Sequence, residues 1–242
     1  MGRIKRLYRK GKAFYDAHYG SLIVSAAGSL VMAILQIPGG IRYGHLYWPF
    51  LIYFSLVFFT WLILLIWRLS MLKKEGTSLL KLNLDNSLYL NIASLVISLT
   101  LPATCVFLLY WKDTPFYALT SIVFAYAMYA FLKTFFAIRS IVRSVKSQSL
   151  YEMSLSVLSM MSALYTLMAL TVALNAYVAN SNGNVQESIP EVILISAFGL
   201  ESVNVLAVWA MSIFNLIRFR KEKEILVLKE KSLEKETHKR NN

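Results

Sequence analysis

Apolar residues in this chain gather into six long runs, near 20–37, 46–67, 88–110, 116–138, 154–178 and 192–217. Each is long enough to cross about 30 Å of hydrocarbon at about 1.5 Å per residue. No water reaches the bilayer core, so a spanning segment must satisfy its own backbone groups, and single runs of this length do so as helices. The alternating segments of about ten residues that a barrel requires are missing. The pattern predicts an all-α integral membrane protein, a six-transmembrane-helix bundle over 20–217, with a cytoplasmic basic segment (1–19) before it and a charged cytoplasmic tail (218–242) after it.

Charge sets the orientation. All but Arg42 and Lys112 of the 25 basic residues fall before the first run, after the second, after or late in the fourth, or after the sixth. Cytoplasmic loops carry the excess of lysine and arginine, so this asymmetry predicts a multi-pass protein of the cell membrane with both termini in the cytoplasm. The opposite loops are short or acidic, and Tyr47, Trp48, Tyr110, Trp111 and Tyr117 sit where an outer aromatic belt belongs. The net charge of +12 follows from the loops rather than from a compact patch, which argues against nucleic acid. The first run follows a basic stretch like a secretory signal. It ends in Gln36-Ile37-Pro38-Gly39-Gly40 without a small-residue cleavage site, and is read as an uncleaved helix.

The segment before it carries Arg3, Lys5, Arg6, Arg9, Lys10 and Lys12 between Ile4, Leu7, Tyr8, Gly11, Phe14 and Tyr15, the spacing of a basic amphipathic helix that lies on anionic lipid headgroups. Ser188 and Glu191, with Pro190 beside them, have the spacing that starts the sixth helix. The tail from Lys221 mixes lysine and glutamate around Ile225, Leu226, Val227 and Leu228, which suits a helix that continues beyond the membrane. The runs also divide into three hairpins, each closing on arginine (Arg68, Arg139, Arg218), a pattern that a tandem repeat or the topology alone would produce.

Candidate chemistry is sparse. Glu201 stands deep in the sixth run, where a charge costs about 2.5–3.5 kcal/mol, and at about 100° per residue Asn204, Ser212 and Asn215 share its face. Asn91, Ser94 and Ser98 line one face of the third run together with Cys105, and Pro102 within that run predicts a hinge. Two readings follow: a proton or cation site beside a solute path, or interhelical hydrogen bonding by a protonated carboxyl. Small residues every four positions in the first run (Ser21, Ser25, Ser29, Ala33), and Ser159, Ser162, Thr166, Ala169 and Ala173 in the fifth, predict packing faces. The aromatic second run, lacking such a stripe, is expected to face lipid, and Lys133 is expected to lift its ammonium to the inner interface.

Enzyme signatures are missing: there is no His-Glu-x-x-His, Gly-x-Ser-x-Gly or phosphate-cradling glycine loop. One cysteine and three dispersed histidines predict neither a disulfide nor a metal centre, and no cofactor is expected. The sequence leaves a small-solute permease or transporter subunit, and a non-catalytic accessory or regulatory membrane protein that binds a partner through its cytoplasmic segments. Either suits a homo-oligomer or a complex with a membrane partner subunit.

Overall fold

The computed structural model describes residues 19–43, 47–72, 79–110, 120–181 and 191–241. The basic segment 1–18 therefore lies outside the described residues, as do Ser188 and Pro190. Every described element is helical: α1 (Tyr19–Tyr43), α2 (Trp48–Leu72), α3 (Leu79–Ser98), α4 (Thr100–Tyr110), α5 (Thr120–Ser147), α6 (Leu150–Ser181) and α7 (Glu191–Asn241). Six segments are long and apolar enough to cross a membrane, with α3 and α4 together forming the third. The protein is an all-α bundle of six long apolar helices, as a multi-pass membrane protein requires.

The spans exceed the apolar runs where polar residues suit a helix emerging from hydrocarbon. α5 continues through Arg139, Arg143 and Lys146 to Ser147, and α6 begins at Leu150, so the expected loop shrinks to a tight turn. Gln148 makes that turn with φ 50° and donates its backbone N–H to the Ser144 carbonyl at 3.0 Å, the αL close of a helix that glycine usually provides. At the other end of the first hairpin, Pro38-Gly39-Gly40 does not form the expected loop but stays within α1. The Tyr47 ring fills the space a Gly39 side chain would need: a Cβ there would lie 2.6 Å from it. Tyr47 is accordingly buried rather than part of an outer belt, whereas Trp48 and Tyr110 are exposed as the belt requires.

α6 is the centre of the bundle, the most buried of the spans, and packs along α5, α3 and α7. α7 crosses both α3 and α4, and α1 pairs with α2. The hairpins are not equivalent. α1 packs along α2 and α6 along α7, but among the described residues the third span has no extensive contact with α5, which packs on α6 instead. A tandem threefold repeat has no support in this arrangement.

Small residues do what close helix approach demands: Ser162, Thr166, Ala169 and Ala173 are buried on α6, and Ser29 and Ala33 on α1. The expectation for the second run is overturned. Phe50, Tyr53, Phe54 and Trp61 are buried, and the first three form an aromatic core with Tyr126, Tyr129 and Tyr165. Only the opposite side of α2, including Ile52, Phe59 and Ile63, is exposed. Large rings fill the space between α2 and its neighbours, and edge-to-face pairs add to that packing.

Candidate functional site

The polar stripe read from the sixth run is buried along its whole length: Glu201, Asn204, Ser212 and Asn215 on α7 are almost fully inaccessible, as are Asn91, Ser94 and Ser98 on α3. The two stripes meet. Asn215 Nδ2 donates to Asn91 Oδ1 at 3.2 Å, and Trp209 Nε1 donates to Ser98 Oγ at 2.8 Å, so α7 runs antiparallel to the third span in a fixed register. Chemically, the stripe divides into two halves.

The half nearer the Gln148 turn is a clasp. Asn91 Nδ2 donates both to Ser154 Oγ on α6 and to the Ser87 carbonyl of its own helix, each at 2.8 Å, while its oxygen accepts from Asn215. One side chain thus ties three helices, which satisfies buried amide groups that would otherwise cost about 1–3 kcal/mol each. Beyond the stripe, Arg218 closes the same end, donating through Nη2 to the Gln148 carbonyl at 2.6 Å and through Nε to Glu222 at 2.9 Å.

Between the halves the third span breaks. Leu99 separates α3 from α4, and its N–H reaches only the Val96 carbonyl at 3.3 Å. The interruption lies one turn before Pro102, the position expected to act as a hinge, whose ring crowds the Ser98 carbonyl and offers it no N–H. Hydroxyls take up the local carbonyls instead: Ser98 Oγ donates to Leu95 at 2.8 Å and Thr100 Oγ1 to Ile97 at 2.6 Å.

The other half is unspent. Among the described residues the only hydrogen bond of Glu201 is to its own helix, from Asn204 Nδ2 to Oε2 at 2.9 Å. Among the described residues Glu201 Oε1 and Asn204 Oδ1 are buried without partners; the unpaired hydroxyls of Ser94 and Ser212 lie on the clasp side of Leu99. Around Glu201 the wall comes from α2, α4 and α6: Tyr53, Cys105 and Tyr165 all lie within its electrostatic reach. Tyr53 stacks on Tyr165 with ring centres 3.5 Å apart, and the Tyr165 hydroxyl pairs with Thr104 Oγ1 at 3.3 Å. Tyr53 faces the Ser162 hydroxyl on α6 across the helix boundary. One carboxyl oxygen and the neighbouring amide oxygen of Asn204 thus remain unpaired, and no ion pair reaches Glu201 among the described residues.

Sequence reasoning missed the aromatic wall, and it misplaced Lys133. Instead of reaching the interface, Lys133 is buried between α5 and α2, its Nζ 5.3 Å from the Tyr129 ring centre and 5.7 Å from that of Trp61. Ring faces attract the ammonium that the stem could have carried outward. The signal available was its place inside an apolar run, a few residues short of Arg139. Arg68 likewise stacks on Tyr151 at 4.5 Å instead of extending into solvent. Among the described residues no three histidine, cysteine or acidic side chains gather as metal ligands. Comparison with known protein families, curated proteins and solved structures gives no match.

Proposed function

We propose that this protein is a small-solute permease or the membrane subunit of a transporter, in which Glu201 binds a proton or a cation beside the solute path. One observation carries the reading: a fully buried carboxyl spends its single hydrogen bond within its own helix and leaves the other oxygen without a partner. A carboxyl retained as glue would bond across a helix boundary, as Asn215 does to Asn91. An intramembrane carboxyl left unbonded is costly, and a mobile proton, a cation or water is the natural occupant of its empty side. The break at Leu99, one helical turn or so from the Glu201 wall, supplies the interruption at which transporters expose backbone to a solute.

The membrane orientation belongs to the same proposal. Arg68, Arg139, Arg143, Lys146, Arg218 and Arg220 lie toward the C-terminal ends of the second, fourth and sixth spans, so in an up-and-down bundle they gather at one end, and the positive-inside rule makes that end and both termini cytoplasmic. The test uses a strain lacking the protein. Wild-type chain restores its phenotypes; Glu201→Gln, matched for abundance and folding, must fail, and Asn215→Ala at matched abundance must succeed. Full restoration by Glu201→Gln removes the proposal.

A second reading, an accessory protein that recruits a partner, is favoured by the continuation of α7 as a helix to Asn241, with Ile225, Val227 and Leu228 exposed beyond Arg220. Deleting residues 226–242 would then release a copurifying protein. Unchanged copurification would dismiss that role for the tail.

A further inference from the structure

The bundle end that carries Arg218 also carries an open depression along the outer face of α5, every lining residue of which belongs to that one helix. Phe135 and Ile138 form an exposed apolar ledge at the deeper end, and Arg139, Arg143 and Lys146 follow toward the helix end with exposed Val142 among them. At about 100° per residue these six positions fall within an arc of roughly 140° on one side of α5. The residues that α5 buries, among them Tyr126, Ala130, Lys133, Ala137 and Ser144, lie on the opposite side. No acidic residue occurs anywhere in α5. Among the described residues this face thus lies opposite the packed side of α5, carries Arg139 and Lys146 seven residues apart with Arg143 between them, and joins them to an apolar ledge.

We propose that this face is a binding site for one anionic phospholipid, its headgroup phosphate held by Arg139 and Lys146 with Arg143 beside them, and its acyl chains lying along Phe135 and Ile138. Phe135 lies about 6 Å deeper along the helix than Arg139 and about 16 Å deeper than Lys146, so the apolar ledge is on the acyl side of every cation. A second copy of this chain fits poorly, since its net charge of +12 would meet three cations. The inference rests on the membrane reading alone and is independent of any role for Glu201.

Native mass spectrometry of the full chain, released from micelles containing equal phosphatidylglycerol and phosphatidylcholine, tests it. The wild type should retain one phosphatidylglycerol in preference to phosphatidylcholine. Arg139→Gln with Lys146→Gln should weaken retention about fivefold per cation, roughly 25-fold for the pair, whereas Arg139→Lys with Lys146→Arg, and Lys221→Gln with Lys223→Gln on α7, should not. If the glutamine pair misfolds, Lys146→Gln alone must still cost about fivefold. Excess inorganic phosphate should leave the lipid in place. Equal retention of the two lipids, equal loss in the α7 variant, displacement by phosphate, or a dimer mass that the glutamine pair abolishes would each overturn the site.

Discussion

Removing the amide of Asn91 probes the half of the polar stripe that is read as a clasp. Asn91→Ala deletes two interhelical bonds, to Ser154 on α6 and from Asn215 on α7, together with one bond inside α3. Interhelical hydrogen bonds in membrane proteins average about 0.6 kcal/mol and reach about 1.7. Two of them put the loss at about 1.2 kcal/mol, rising to about 3.4 if both lie at the upper limit, with the void left in a buried site adding to it. Reversible unfolding in mixed detergent micelles, followed by the emission of the five tryptophans, among them Trp209 on the same helix interface, reads the change. The decisive quantity is the double-mutant cycle with Asn215→Ala, which should give a coupling of about 0.6–1.7 kcal/mol. The cycle of Asn91→Ala with Glu201→Gln is the control. Glu201 lies about 21 Å along α7 from Asn215 and shares no partner with Asn91, so the two changes should add. Additivity within about 0.3 kcal/mol for the Asn91 and Asn215 pair, or coupling of the control pair, would refute the division of the stripe.

Three further outcomes follow from individual contacts. Gly28→Ala would bring a Cβ to 2.6 Å from the Tyr129 ring, whose hydroxyl is held 3.0 Å from Ser29 Oγ; the displaced ring should cost about 1–3 kcal/mol, measured by the same unfolding assay. Pro102→Ala supplies the N–H that the Ser98 carbonyl lacks, so α3 and α4 should join and hydrogen exchange near Leu99 should slow, with an unchanged rate as the contrary result. Lys133→Met keeps the apolar stem and removes a buried charge that makes no ion pair among the described residues, so thermal stability in detergent should hold or rise; a loss above about 2 kcal/mol would mean that the ring contacts outweigh desolvation.

Much of the frame was legible because apolar length and helical angle are local properties. The six spans follow from run length, and Glu201, Asn204, Ser212 and Asn215 proved to share a buried face, as their spacing implied. Local properties do not encode register between helices. Nothing in the sequence tells Asn215, which meets Asn91, from Ser212, which meets no partner. The same limit explains the second span, where aromatic composition suits lipid or core equally and only the neighbours of Phe50 and Tyr53 decide. Lys133 was misread through its stem length, which permits an outward reach that the rings of Trp61 and Tyr129 make unnecessary. The break before Pro102 was legible because a missing N–H acts within one turn.

Proton exchange at Glu201 inside the bundle is decided by infrared difference spectroscopy of the full-length protein in lipid across a pH titration. A reversible interconversion of carboxylic-acid and carboxylate bands, abolished by Glu201→Gln and retained in Asn215→Ala, is the expected result. A Glu201 band that stays invariant over the whole range in which the helices remain folded would contradict it, and would leave the carboxyl as an internal bond of α7.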